Sequence, residues 1–217
     1  MPKRALVEHR PWLAASVLAA VAYYFLRSEP LSDGLLVSLK GASAALLAVY
    51  AWQRCKVRDA KILTLVMALS ALGDVLIEYS LEYGGGAFFL SHLAAMTLYL
   101  GNRREHPTSS QKTAAGALLI LTPLVCWLLS RDLGITFYGL ALGGMAATAW
   151  MSRFSRYRVG LGALLFVVSD WLIFARIGYP SGAAIYALLI WPLYYAGQFL
   201  IATGVVQTLR KELDAED

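Results

Sequence analysis

Charged residues are scarce in this chain. Only 15% of its 217 residues are Asp, Glu, Lys or Arg, whereas 59% are hydrophobic and the mean hydropathy is +0.58. Soluble domains carry roughly 25% charged residues, so this composition excludes an ordinary soluble fold. The chain is therefore expected to be an integral membrane protein.

Residues that build disulfides, metal sites and covalent catalysts are also few. Of the two cysteines, Cys55 is predicted in a cytoplasmic loop and Cys126 in a span near the opposite side, which argues against a disulfide. The three histidines lack metal-ligand spacing, and the sequence has neither a glycine-rich phosphate loop nor a G-x-S-x-G nucleophile elbow. We expect no metal and no cofactor.

Apolar runs recur about every 25 residues, as in membrane helices, and none alternates like a membrane strand. We predict an all-α, polytopic membrane protein whose eight transmembrane helices form one integral membrane domain over residues 1–217. The basic start of the chain is typical of a secretory signal, but no small-residue cleavage site follows, so its apolar run is counted as the first span. The predicted spans are 11–26, 34–52, 61–80, 86–101, 113–130, 135–151, 159–176 and 183–207.

Basic residues are distributed unevenly over alternate loops. Fifteen of the nineteen, including Lys3 and Arg4, lie in the two termini and in the loops around 53–61, 102–112 and 152–158. Cytoplasmic segments are enriched in Lys and Arg, so both termini are predicted to be cytoplasmic, which an even number of spans allows. The net charge of +5 thus reflects membrane topology, and no nucleic-acid partner is expected.

Two aspartates, Asp74 and Asp170, stand inside apolar runs, in the settings LSALGDVLI and LFVVSDWLI. A carboxylate near the bilayer centre costs roughly 2.5–3.5 kcal/mol, so each is a candidate for acid–base catalysis or ion binding. The alternative for each is a hydrogen bond that packs two helices. Two carboxyl groups in one low-dielectric cavity leave one protonated and one charged, which is the state that general acid–base catalysis requires.

Two further polar residues are predicted at the depth of the aspartates. Lys40, His92, Asp74 and Asp170 each lie about six residues, or roughly 9 Å, inside the outer end of a span. Lys40 is a candidate to bind an anionic substrate group, or else a structural partner of an aspartate. His92 is a candidate catalytic residue that relays a proton or orients a carboxylate, or else a packing residue. Glu78 is expected to be solvated.

The last span carries a group of polar and aromatic side chains. Tyr194 and Gln198 are four residues apart and share a helix face, as do Trp191 and Tyr195, so either pair could line a cavity. We take Tyr194, Tyr195 and Gln198 as candidate substrate-binding residues, with packing or an interfacial belt as the alternative for the aromatic ones. Packing is favoured for Trp191.

A weak internal similarity relates the two halves of the chain. Superposing residues 65–77 on 161–173 aligns Asp74 with Asp170 and matches several aliphatic positions. Two four-helix halves, 11–104 and 113–209, related by duplication are one interpretation. Convergence on two intramembrane acids is the other.

Four segments that contain these residues resemble the YhhN-type lysoplasmalogenase family. They are SALGDVLI at 70–77, AFFLSHL at 87–93, GALLFVVSDWLI at 162–173 and YYAGQFLIATG at 194–204. The resemblance implies an ether hydrolase that cleaves the vinyl ether bond of lysoplasmalogens, giving a fatty aldehyde and a glycerophospho-base. The implied partners are a lysophospholipid substrate and the bilayer.

The chemistry of that reaction suits an intramembrane acid pair. Protonation of the alkene carbon forms an oxocarbenium ion that water attacks, so one protonated carboxyl and one carboxylate are required. Which aspartate is the acid is open at this stage. A proton-coupled small-molecule transporter that uses the same aspartates is the main alternative. Compact loops without eukaryotic targeting signals suggest a bacterial inner membrane.

Overall fold

The computed structural model describes residues 10–216, and it is all-helical. Helices make up 87% of the structure, and residues 10–216 contain no β-strand. Lys3 and Arg4, which contribute to the predicted topology, and His9, one of the three histidines, lie outside the described residues. The predicted all-α class is confirmed.

Eight α-helices follow one another in the described part of the chain. A π-helical turn, Arg156–Gly160, leads into the seventh helix, and a 3₁₀ turn, Pro180–Gly182, leads into the eighth. The helices are α1 (Arg10–Leu26), α2 (Asp33–Arg54), α3 (Arg58–Leu76), α4 (Leu81–Gly101), α5 (Ser109–Ser130), α6 (Leu133–Met151), α7 (Leu161–Gly178) and α8 (Ala183–Glu216).

Five of these helices are long and apolar enough to cross a membrane: α2, α5, α6, α7 with its π turn, and α8 with its 3₁₀ turn. Helix α1 is apolar but has 17 residues, and α3 carries Arg58, Asp59, Lys61 and Asp74. The chain is thus a multi-pass membrane protein. Its eight spans and cytoplasmic termini stay predictions.

The predicted boundary between the third and fourth spans is wrong. Helix α3 ends at Leu76 rather than at residue 80, and α4 begins at Leu81 rather than at residue 86. The reason is Ser80, whose Oγ accepts hydrogen bonds from the N–H groups of Glu82 (3.2 Å) and Tyr83 (3.4 Å) and so caps the start of α4. Residues 77–80 therefore form a turn.

The predicted end of the last span, at residue 207, is also too early for the helix. Helix α8 continues to Glu216 because the polar sequence after the apolar run is still composed of good helix formers. Arg210 and Asp214 form an ion pair at 3.1 Å one turn apart in this extension.

The described chain divides into two compact units. Of the described residues, one unit comprises 10–94 and 202–216, and the other comprises Ala95–Ile201. In the first unit α1 packs on α2, and α2 packs on α3; in the second, α5 packs on α6 and on α7. The predictions of a single domain and of an internal repeat stay predictions.

Local signals explain the hairpin of α5 and α6 in the second unit. Thr108 and Gln111 form a capping box at the start of α5, with hydrogen bonds of 2.8 and 3.3 Å. Arg131 ends α5 in the left-handed conformation, with φ of 55°, and Asp132 Oδ1 accepts the N–H of Ile135 at 2.8 Å to start α6. The reversal is therefore encoded by residues 131–132.

The small-residue pattern of α6 serves packing within this hairpin. A Cβ at Gly139 would lie 2.7 Å from Cys126 Sγ, and one at Gly143 would lie 2.8 Å from the carbonyl oxygen of Leu118. Only glycine permits so close an approach of two membrane helices. Gly139 and Gly143 thus fix the position of α6 against α5.

Two basic loops of the second unit are joined by hydrogen bonds. Arg153 donates its N–H to the backbone oxygen of Asn102 at 2.8 Å and its Nε–H to the side-chain oxygen at 2.6 Å. Arg104 donates its N–H to the carbonyl of Met151 at 3.0 Å. The loops at 102–112 and 152–158, which the charge distribution predicts on one side of the membrane, are therefore adjacent within this unit.

Candidate functional site

Asp170 is the best-defined acid of the second unit. It lies in α7 with 5% of its surface exposed, and its Oδ2 accepts a hydrogen bond of 2.6 Å from the hydroxyl of Tyr138 in α6. The Tyr138 ring packs edge-on against Phe174, with centroids 5.9 Å apart. A buried carboxyl group held by a phenol is thus built where α6 meets α7.

The residues around Asp170 also join α7 to α8. Ser169, its neighbour, donates a hydrogen bond of 3.0 Å to the carbonyl of Ile190. One turn earlier, Phe166 packs edge-on against Tyr194, with centroids 5.2 Å apart. The aromatic face of α8 is therefore part of the surroundings of α7 in this unit.

The predicted helix faces of α8 are confirmed. Gln198 Nε2 donates to the hydroxyl of Tyr194 at 3.3 Å, and both residues are buried. Trp191 and Tyr195 stack at 6.3 Å with an interplanar angle of 17°. Trp191 is 5% exposed, and its packing role stays a prediction. The substrate-binding role of Tyr194, Tyr195 and Gln198 stays a prediction.

Asp74 is buried in the first unit, with 2% of its surface exposed. It lies in the last turn and a half of α3, directly after Gly73. A Cβ at Gly73 would lie 2.8 Å from the ring of Phe88 in α4, and one at Gly41 in α2 would lie 2.6 Å from Val75. Glycine in the GD motif therefore lets α4 pack closely beside the acid.

Lys40 has a partner that the sequence analysis does not identify. Its ammonium group forms an ion pair with the carboxylate of Glu78, in the turn after α3, and lies 5.8 Å from the ring centroid of Tyr23. The polar group of the first unit thus includes Tyr23, Lys40 and Glu78. Glu78 is expected from the sequence to be solvated, but it has an ion-pair partner.

His92 lies in α4 with 1% of its surface exposed. Its neighbour Ser91 shares a hydrogen bond of 2.9 Å with Ser70 and donates one of 3.0 Å to the carbonyl of Val66, both in α3. These bonds fix the part of α4 that carries the histidine against α3. The catalytic role of His92 stays a prediction.

The structure thus assembles two polar groups, one in each unit. Asp74, Lys40 and His92 belong to the first unit, whereas Asp170 belongs to the second. The sequence does not identify Tyr138 as a functional residue, because a tyrosine in an apolar helix is normally interpreted as a packing residue. Its one signal in the sequence is its place directly before Gly139, the start of the close approach of α6 to α5.

An apolar groove of about 240 Å³ opens beside α7 in the second unit. On α7 it is lined by Leu164 and by Trp171, which follows Asp170 in the sequence, and it runs along the facing side of α5. Its lining consists of Ala114, Ala117, Leu118, Leu121, Thr122, Trp150, Leu164 and Trp171. Such a lining suits a hydrocarbon chain.

Other reaction chemistries find little support in the described residues. Between residues 10 and 216, no cluster of three or more His, Cys, Asp or Glu side chains could hold a metal ion. Cys55 and Cys126 are free and buried. Burial raises the pKa of the Cys55 thiol, in the loop after α2, and so disfavours its thiolate. The carboxyl groups are the better candidates for chemistry.

Comparison with known proteins finds a matching family and similar named proteins. The model of the YhhN family matches residues 35–205. Two proteins named "Lysoplasmalogenase", from Mycobacterium bovis (strain ATCC BAA-935 / AF2122/97) and Mycobacterium tuberculosis (strain CDC 1551 / Oshkosh), are each 30% identical to this chain over 181 residues, which cover 77% of this chain and 69% of the relative. No solved structure matches the chain. The matched range contains Lys40, Asp74, His92 and Asp170.

Proposed function

The chain belongs to the YhhN family, and from this premise we propose that it is a membrane lysoplasmalogenase. It hydrolyses the vinyl ether bond of an alkenyl glycerophosphoethanolamine or glycerophosphocholine to a fatty aldehyde and a glycerophospho-base. The similarity to the two proteins of that name supports the reaction. The observation that carries the proposal is the buried Asp170 carboxyl, which accepts the Tyr138 hydroxyl and lies in the unit that also contains the apolar groove.

The reaction is acid–base chemistry on an uncharged bond. A proton adds to the second carbon of the alkenyl chain, and the positive charge is shared between the first carbon and the ether oxygen. Water adds to that first carbon and loses a proton, giving a hemiacetal. The hemiacetal hydroxyl then gives up its proton as the bond from this carbon to the glycerol oxygen breaks. The glycerol oxygen takes a proton, and the aldehyde leaves. One water is consumed, and no other reactant is needed.

Asp74 and Asp170 are the proposed acid–base groups. Each is almost fully buried, and a carboxyl group without bulk water can transfer a proton to carbon or stabilise a nearby cation more effectively than one in solvent. His92, buried in α4 of the same unit as Asp74, is the proposed partner that sets the protonation state of that acid.

We place the protein in a bacterial inner membrane, which membrane fractionation would test.

Lys40 is proposed to bind the substrate phosphate, in competition with Glu78. If so, Lys40→Gln should raise KM for lysoplasmenylethanolamine severalfold, because it removes the cation. Glu78→Gln should lower KM, because it frees the Lys40 ammonium from its ion pair. Steady-state kinetics of both variants would measure these changes in KM. If Lys40 is purely structural, both changes lower the melting temperature and leave KM unaltered.

The alkenyl chain is proposed to lie in the groove between α5 and α7. Ala117→Phe should narrow this groove and lower kcat/KM for long-chain substrates more than for short-chain ones, because the added ring displaces methylene groups worth about 0.8 kcal/mol each. The matched control is Ile120→Phe, on the same helix but outside the lining and 66% exposed. If kcat/KM depends on substrate chain length in the same way for both variants, the groove does not bind the alkenyl chain.

The proposal is tested with purified wild-type protein in detergent. Incubation with lysoplasmenylethanolamine should release equal amounts of fatty aldehyde and glycerophosphoethanolamine, whereas the lysophospholipid with a saturated ether should be untouched, because it has no alkene to protonate. The rival function, a proton-coupled transporter, predicts proton-driven uptake into proteoliposomes without bond cleavage. Folded protein that yields no aldehyde from either head group would contradict the proposal.

A further inference from the structure

Asp170 has one hydrogen-bond partner among the described residues, the hydroxyl of Tyr138. The bond runs from this hydroxyl to Oδ2 at 2.6 Å. A phenol has a single proton, so it occupies one carboxyl oxygen. The other oxygen, Oδ1, accepts no hydrogen bond from residues 10–216.

The position of the Tyr138 hydroxyl is fixed from both sides. On α6, the next residue is Gly139, whose Cα approaches α5 so closely that a Cβ would meet Cys126 Sγ at 2.7 Å. On α7, the tyrosine ring packs edge-on against Phe174, which lies one turn beyond Asp170 and is buried. Neither the helix nor the ring can move without breaking these contacts, so the donor is preorganised.

A fixed donor on one carboxyl oxygen has a definite effect on proton transfer. When Asp170 gives a proton to the alkene carbon, negative charge develops on its carboxyl group, and the hydrogen bond from Tyr138 becomes stronger. An interaction that is stronger in the transition state than in the ground state accelerates the reaction. When a carboxylate takes up a proton, the same bond becomes weaker, so this arrangement favours the donor role.

We propose that Tyr138 is a positioning residue that makes Asp170 the general acid and Oδ1 its proton-donating oxygen. This inference rests on the proposed function. The proton leaves Oδ1 as the new carbon–hydrogen bond forms, the alkene electron pair supplies that bond, and the positive charge moves to the ether oxygen and first carbon. Asp74 then has the role of the base that activates water.

The test is a double-mutant cycle with Tyr138→Phe, Asp170→Asn and the double variant. Tyr138→Phe removes only the hydroxyl and keeps the ring that packs on Phe174. It should lower kcat roughly 10- to 100-fold, the effect of one hydrogen bond to a charged group, with KM changed less than twofold. Because Tyr138 acts through Asp170, adding Tyr138→Phe to Asp170→Asn should cause little further loss.

Tyr99 provides a matched control in the same unit. It is buried, it packs edge-on against Phe154 with centroids 6.3 Å apart, and its hydroxyl has no hydrogen-bond partner among the described residues. Tyr99→Phe should therefore leave kcat unchanged and should not lower the melting temperature, since it removes an unsatisfied buried polar group.

The possible outcomes separate the role of Tyr138 from the function itself. Wild-type kcat in folded Tyr138→Phe, with Asp170→Asn inactive, would overturn the positioning role and leave the hydrolase intact. Fully additive losses in the cycle would also overturn it. No aldehyde from the wild type would overturn the function and this role together. If Tyr138→Phe does not fold, 3-fluorotyrosine at position 138 keeps the ring and the hydroxyl; a changed kcat with constant KM supports the role, and an unchanged kcat overturns it.

Discussion

Asp170→Asn is expected to reduce aldehyde release at least about 100-fold, and up to about 10⁴-fold, with the protein still folded. The amide has nearly the shape of the carboxyl group and can still accept the hydroxyl of Tyr138 through its oxygen, so the contact between α6 and α7 survives. What is lost is the proton that a carboxyl group can give. The loss should therefore appear in kcat rather than in KM.

Asp74→Asn tests the second acid in the same way. Asp74 is 2% exposed, so the amide keeps its packing in α3 and removes only the group proposed to activate water. Glu82→Gln is the control, because Glu82 is an exposed carboxylate at the start of α4 in the same unit. Melting temperatures establish that each variant is folded. Aldehyde release at wild-type rates by either folded aspartate variant would remove that residue from the mechanism.

Gly197→Ala should destabilise the fold of the second unit. The backbones of α7 and α8 cross at two glycines. A Cβ at Gly197 would lie 2.7 Å from the carbonyl oxygen of Gly162, and a Cβ at Gly162 would lie 2.7 Å from the carbonyl oxygen of Gly197. Neither obstacle is a flexible side chain, so the helices must separate. We expect a loss of about 1–3 kcal/mol in the free energy of unfolding, as for other overpacked sites.

The crossing also affects the site, because Phe166 and Tyr194 pack against each other close to the two glycines. Gly197→Ala should therefore lower kcat as well as the melting temperature. Gly116→Ala in α5 is the matched control: nothing lies within 4 Å of a Cβ there, and alanine is the better helix former by roughly 1 kcal/mol. A melting temperature of Gly197→Ala equal to that of the wild type would contradict the close crossing.

Sequence reasoning predicts the helices well because apolar runs and charged loops are read directly from the chain. It places the ends poorly where a single polar side chain decides them, as Ser80 does for α4. The end of α8, residues 208–216, is not predicted for a different reason. A hydropathy pattern marks where a helix leaves the apolar region, not where its backbone hydrogen bonds end.

Prediction of the site is limited in a similar way. Asp74 and Asp170 stand out because charge in an apolar run is costly, and the faces of α8 follow from four-residue spacing. Tyr138 and Glu78 do not stand out, because their partners lie on other segments of the chain and no spacing connects them. Such pairs require the packing of helices, which here is set by glycines such as Gly139 and Gly41.

The most direct test of the central claim is the mass of the aldehyde that wild-type protein forms in D₂O, trapped at once as an oxime. Protonation of the alkene by a carboxyl group that has exchanged with solvent predicts one deuterium on the carbon next to the carbonyl. In water labelled with ¹⁸O, the glycerophospho-base should contain no label, because its glycerol oxygen is retained. An aldehyde without deuterium, or label in the glycerol product, would contradict vinyl ether hydrolysis by this acid pair.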